Sequence, residues 1–77
     1  MAHTFEDLVT LEQAAEQAHA LYTAPDTVDV GAARRAWVEA SAAFQAAVTE
    51  HAQAEGKPRI EVEMAVKKTV RHAEATG

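Results

Sequence analysis

The chain has 77 residues, of which 48% are hydrophobic, no cysteine, and a formal net charge of −5 at pH 7. A chain of this length buries only about 60% of its unfolded surface, which excludes a large catalytic domain and indicates one small domain. The absence of cysteine excludes a disulfide-stabilised scaffold. Nineteen of the hydrophobic residues are alanine, the residue with the highest helix propensity. The composition therefore favours closely packed helices with few large apolar side chains.

A first helix is predicted over residues 5–22, because apolar residues recur there every three or four positions. These residues are Leu8, Leu11, Ala15, Ala18 and Tyr22. Thr4 precedes the stripe and Asp7 follows three residues later, a variant of the capping box at a helix start. Pro25 disfavours helical backbone at the residue before it, so we expect the helix to end ahead of Pro25.

A second helix is predicted over residues 30–55, with Asp29 or Thr27 as its N-cap. Its apolar seam alternates spacings of three and four, as in a coiled coil. The seam comprises Val30, Ala33, Trp37, Ala40, Phe44, Ala47, His51 and Ala54. Trp37 and Phe44 are its large anchors. The helix would be about 39 Å long, so the shorter first helix cannot cover it. The third segment or a second copy of the chain must cover the rest.

The third segment, residues 58–75, permits two interpretations. Val62, Val66 and Val70 form a narrow helical stripe, and Glu63 and Lys67 would form a favourable i,i+4 pair. Residues 59–64 also alternate with period two, which is typical of a strand. A single short strand in a helical chain has no pairing partner unless it pairs across a dimer, so helix is preferred. Gly56 is suited to end the second helix, and Pro58 to the first position of the third.

The predicted fold is therefore all-α, a single domain over residues 1–77. It consists of a helical hairpin with a long second helix and a third, C-terminal helix packed against it, in the manner of a three-helix bundle. Because few large apolar residues must offset the conformational entropy of the chain, we expect a homodimer. The predicted core and interface residues are Leu8, Leu11, Tyr22, Trp37, Phe44, His51, Val62, Val66 and Val70.

No residue pattern points to catalysis or to a cofactor. Glu16 and His19 match the Glu-x-x-His element of di-metal bundles, with Glu12 one turn earlier, but no second element accompanies them. A solvated helix edge is the preferred interpretation. Ser41 stands in no nucleophile motif, and the three glycines form no phosphate-binding loop. We expect no enzyme activity, no metal and no cofactor. His51 is either a pH-sensitive contact or a partly buried or capping histidine.

Charge is distributed unevenly along the chain. Residues 1–33 contain six acids and no lysine or arginine, whereas residues 57–77 contain five cations and three acids. The third segment has a candidate patch for a protein partner at Ile60, Met64, Lys67, Lys68 and Arg71; the preferred interpretation of its basic face is that it is solvated or pairs with the acidic first helix of a neighbour. The predicted function is thus a protein-interaction module: an adaptor, regulator or assembly factor that acts through helix packing and homodimerisation. The alternative is a nucleic-acid-associated regulator that uses this basic segment, although the acidic net charge disfavours it.

Two stretches carry a resemblance to other proteins. They are residues 46–52 with Gly56, and residues 59–68 with 70–72, accompanied by a looser match over residues 7–20. This pattern resembles short uncharacterised all-helical proteins of high-GC Gram-positive bacteria, a resemblance that implies no activity. The N-terminal residues have no signal-peptide pattern, and no apolar run approaches the roughly 20 residues of a membrane span. The sequence therefore predicts a cytoplasmic protein that does not insert into a membrane.

Overall fold

A computed structural model describes residues 3–76 of the chain, and the side chains of residues 3–73. It contains three helices: α1 (Phe5–Thr23), α2 (Val30–Glu55) and α3 (Arg59–Thr76). No strand occurs among the residues described. The prediction of an all-α fold with three packed helices is confirmed, and each helix begins and ends within one residue of its expected position. Of the two interpretations of the third segment, the structure has the helix.

Local capping interactions set the starts of α1 and α2. The Thr4 Oγ1 accepts a hydrogen bond from the Asp7 N–H, and the Asp7 Oδ2 accepts one from the Thr4 N–H, both at 3.1 Å. This is the expected capping box. The Asp29 Oδ1 accepts from the Ala32 N–H at 2.9 Å, so Asp29 caps α2. Thr27 has a different role, since its hydroxyl donates to the Leu21 carbonyl and ties the loop to the end of α1.

The junction between α2 and α3 depends on Gly56. Its backbone is left-handed, with φ of 64°, a conformation that only glycine adopts at little cost. The Gly56 N–H donates to the Gln53 carbonyl and the Lys57 N–H to the Ala52 carbonyl, which together form a Schellman motif. The Pro58 carbonyl accepts from the Val62 N–H. Pro58 was expected at the first helical position. It instead lies immediately before α3, whose first residue is Arg59.

The hydrophobic core lies at one end of the helical hairpin. α1 and α2 are antiparallel, because Leu8 packs with Phe44 and Val48 while Tyr22 stacks on Trp37. α3 packs across the end distant from the hairpin loop. The resulting cluster comprises Leu8, Phe44, Ala47, Val48, Ala52, Val62 and Val66. No residue between 30 and 43 is fully buried. Three helices thus enclose one end of the molecule, and two helices form the other.

The buried face of α2 differs from the expected seam in its last turns. Val48 and Ala52 are buried, whereas His51 is partly buried and Ala54 is exposed. The reason is that α3 covers the side of α2 adjacent to the seam, so the buried stripe turns toward α3 after Ala47. The predicted core residues Leu8, Phe44, Val62, Val66 and Val70 are buried. Leu11, Tyr22 and Trp37 are partly buried, as is His51.

Candidate functional site

An open cleft of about 530 Å³ lies beside the core, where α3 leaves the hairpin uncovered. Each of the three helices contributes to it. Its lining residues are Glu12, Ala15, Glu16, His19, Trp37, Ser41, Phe44, Gln45 and Lys67. The cleft therefore combines an aromatic surface with groups of both charges, and it adjoins the buried residue Phe44.

An ion pair between a buried carboxylate and a partly exposed ammonium lies beside Phe44 in this cleft. The side chain of Glu12 is only 5% exposed, and the Lys67 Nζ lies 2.7 Å from its Oε2. The Lys67 side chain is 42% exposed, and its ammonium lies 5.5 Å from the centre of the Phe44 ring. A carboxylate is costly to bury unless a cation and a hydrogen bond compensate for its lost hydration. Lys67 supplies both, which explains how Glu12 fits within the core.

The burial of Glu12 was not predicted, although its spacing from two apolar residues of α1 indicates it. Glu12 lies four residues after Leu8 and three before Ala15, and both of these are buried. It therefore occupies the centre of the α1 stripe, although it was expected beside the stripe with Glu16 and His19. A charged residue at such a position needs a partner from another helix. The identity of that partner depends on how α3 docks, which no spacing within α1 reveals.

Lys67 has a different ion-pair partner from the expected one. Glu63 pairs with Arg59, whose Nη1 lies 3.2 Å from the Glu63 Oε2, and the expected Glu63–Lys67 pair is replaced by the contact with Glu12. Arg59 also donates from Nε to the Thr49 hydroxyl at 3.1 Å, which joins α3 to α2. Lys67 therefore lines both the cleft and the hollow of the predicted patch, and its ammonium is engaged by Glu12.

An aromatic cluster forms the wall of the cleft toward the hairpin loop. The ring of Trp37 stacks on that of Tyr22, with centroids 5.5 Å apart and planes 19° apart. The Trp37 ring also contacts the ring of His19, with centroids 4.8 Å apart and planes inclined by 51°. Because His19 and Tyr22 are three residues apart on α1, both side chains reach Trp37 on α2. The cluster holds the loop end of the hairpin together, and it leaves Trp37 only partly buried.

The structure brings Glu12, Glu16 and His19 into this one cleft, but it does not arrange them as a metal site. Among the described residues, no group of three or more acidic or histidine side chains could hold a metal ion. Glu12 is instead engaged by Lys67. Ser41 and His19 also line the cleft, yet no hydrogen bond joins them within the described part of the chain. An activated nucleophile requires a base within hydrogen-bonding reach, and His19 is not placed as such a base for Ser41.

His51 lies outside the cleft and has a structural contact. Its Nδ1 donates to the backbone carbonyl of His3 at 2.7 Å, and the Nε2 of His3 lies 3.4 Å from the Glu50 Oε2. These two contacts hold the residues before α1 against the last turns of α2. Of the two interpretations of His51, the partly buried histidine matches this geometry.

A second surface feature, here called the α3 ridge, consists of Ile60, Met64, Lys68 and Arg71. All four are exposed, and the two apolar side chains are 67% and 64% exposed, respectively. A shallow hollow of about 440 Å³ runs along the ridge beside Met64, Lys68 and Arg71, and Lys67 also lines it. Lys67 therefore borders both the cleft and the ridge, and the two features form one continuous surface.

In the part of the chain that the structure describes, no helix has both the length and the hydropathy to span a membrane. No family model, no curated protein and no solved structure matches the chain. The resemblance to short proteins of high-GC Gram-positive bacteria therefore stays a prediction, and the function must be inferred from the geometry of the cleft and the ridge.

Proposed function

We propose that this protein is a small non-enzymatic interaction module that acts through helix packing and homodimerisation, as an adaptor, regulator or assembly factor. The observation that carries the proposal is the uneven enclosure of the hairpin. Three helices bury one end, whereas the half of α2 before Phe44 has no fully buried residue and borders an open cleft. Trp37, which lines this cleft, belongs to the residue types that contribute most to binding at protein interfaces.

The accessible surface of the chain leaves area for an interface with a partner, and the partner proposed here is a second copy. A compact monomer of 8.3 kDa is expected to expose roughly 4,600 Å², whereas this chain exposes 5372 Å². The excess is on the order of 800 Å², the area that each partner buries in an interface of standard size. Homodimerisation would therefore bring the exposed surface per chain to the value typical of a compact domain.

The proposal is tested by measuring the molecular mass in solution over a wide range of protein concentrations. We expect twice the mass of the 8.3 kDa chain at high concentration, with dissociation on dilution. Trp37 is the only tryptophan, so its fluorescence emission should move to shorter wavelength as the dimer forms and water leaves the cleft. A monomer at every concentration, with unchanged emission, would contradict homodimerisation.

A substitution at Trp37 connects the dimer to the cleft. Trp37→Ala should weaken the dimer, whereas Val38→Ala, an exposed neighbour on α2, should leave it unchanged. Circular dichroism of both variants verifies that the helices persist. Equal dimerisation of the two variants would place the interface elsewhere on the molecule.

The nucleic-acid alternative receives less support from the arrangement of cations. Arg59 and Lys67 are held by Glu63 and Glu12, and the net charge is −5. Titration with duplex DNA and with RNA at two salt concentrations tests this alternative directly. Binding that weakens steeply with salt would favour the nucleic-acid function, because neutralised phosphates release counterions.

A further inference from the structure

The α3 ridge has the composition of one half of an interface. At about 100° per residue, Ile60 and Met64 project from the side of α3 opposite the buried valines. Two large apolar side chains that are each about two-thirds exposed are costly to leave in water. Lys68 and Arg71 flank them, and apolar centres within a polar rim are typical of protein interfaces.

The cleft has the complementary composition. Its aromatic wall, formed by Trp37 and His19, offers an apolar surface on which a methionine thioether packs favourably. Its charged lining residues are Glu12, Glu16 and Lys67, so acidic side chains outnumber basic ones there. The two cations of the ridge, Lys68 and Arg71, therefore match the sign of charge that the cleft attracts.

The shared position of Lys67 determines what kind of assembly these surfaces can form. Lys67 borders the cleft on one side and the ridge on the other. A two-fold axis close to Lys67 would thus bring the ridge of each copy to the cleft of the other, and both contacts would form in the same dimer. Such an interface is closed in the dimer, whereas a contact that used only one ridge and one cleft would continue into a ring or a filament.

We propose that two copies of this chain pair about a two-fold axis near Lys67, so that the α3 ridge of each occupies the cleft of the other. Met64 of one copy packs on Trp37 of the other, and Lys68 of one copy lies against Glu16 of the other. The inference rests on the proposed homodimerisation and adds the interface, its symmetry and the residues that form it. It also accounts for the exposure of Ile60 and Met64 and for the incomplete burial of Trp37.

Charge reversal tests this pairing. Glu16→Lys and Lys68→Glu each place like charges at both symmetric contacts, and each should raise the dimer Kd on the order of a hundredfold. The matched controls are Glu39→Lys and Lys57→Glu, which make the same charge changes at exposed positions outside both surfaces. The controls should dimerise like the unmodified chain.

Complementation then tests the reciprocity of the interface. When Glu16→Lys chains are mixed with Lys68→Glu chains, opposite charges meet at both contacts, so a heterodimer should form with nearly the original affinity. A chain that carries both substitutions should form a homodimer for the same reason. Circular dichroism establishes that each variant is folded, and the doubly substituted chain is decisive if a single variant loses its helices.

Each outcome has a distinct meaning. Loss of the dimer in both single variants, with recovery in the mixture and in the doubly substituted chain, supports the pairing. A dimer that tolerates both single substitutions overturns the ridge-in-cleft interface and leaves homodimerisation intact. Dissociation without recovery overturns the reciprocal contact of Glu16 with Lys68. An unmodified chain that stays monomeric overturns the proposed homodimerisation and this inference with it.

Discussion

Removal of the Lys67 ammonium should destabilise the fold, because it leaves Glu12 in the core without its cation. Breaking a fully buried ion pair on one side costs about 3–5 kcal/mol. Here the Glu12 side chain is 5% exposed, but the Lys67 side chain is 42% exposed, so water can approach the carboxylate once the lysine is replaced. We therefore expect Lys67→Met to lower the free energy of unfolding by about 2–3 kcal/mol.

This loss is large for a domain of this size. A stability of roughly 0.05–0.15 kcal/mol per residue corresponds to about 4–12 kcal/mol for the chain. The expected change is thus readily measured by urea unfolding, followed by circular dichroism and analysed by linear extrapolation. The melting temperature should fall by roughly 10–20 °C. Lys57→Met is the matched control, because Lys57 is an exposed lysine outside α3, and it should change the stability by less than about 0.5 kcal/mol.

A double replacement distinguishes the loss of the pair from the loss of packing by the lysine chain. Glu12→Leu combined with Lys67→Met removes both charges and keeps the volume of the site similar, so its stability should lie within about 1 kcal/mol of the original chain. The single Lys67→Met variant should be the less stable of the two. Equal stability of Lys67→Met and Lys57→Met would refute the reasoning, since it would mean that Glu12 does not depend on Lys67.

Three further predictions concern the core and the helix ends. Phe44→Ala should lower the free energy of unfolding by about 3–5 kcal/mol because Phe44 is buried in the core. Trp37→Ala should lower it by only about 1–2 kcal/mol, because Trp37 is partly buried and contributes mainly through ring contacts. Comparable losses in urea unfolding would contradict this ordering. Gly56→Ala should lower the free energy of unfolding by about 1 kcal/mol, because φ is 64° although no atom crowds the position. Thermal melting should show that Gly56→Asn is less destabilising than Gly56→Ala. Thr4→Ala should cost about 1 kcal/mol through loss of the cap on α1, and Thr4→Ser should recover most of that loss.

Sequence reasoning located the helices because the effects that define them are local. The capping box at Thr4, the cap at Asp29 and the left-handed turn at Gly56 each involve residues within a few positions of one another. A helical stripe likewise requires only the 3.6-residue period. Neither kind of signal depends on how the helices pack, so the three helices and their ends were predictable within one residue.

The candidate site was much less predictable, because it is formed by contacts between helices. Trp37 was expected as a core anchor, yet it is partly buried at the edge of a cleft, since α3 packs at the opposite end of the hairpin. After Ala47 the buried face includes Val48 and Ala52, since α3 covers that side of α2. The period of a stripe indicates that a face is apolar, but it does not say which part of the face another helix will cover.

The sequence by itself therefore determined an all-α chain with three helices, their ends and their apolar stripes. The tertiary structure alone decided which charges meet, because Glu12 and Lys67 are 55 residues apart and belong to different helices. It also decided that the cleft stays open and that the α3 ridge lies beside it. The physical reason is that the free energy of a buried charge or an exposed aromatic ring depends on its neighbours in space, which are set only when the helices dock.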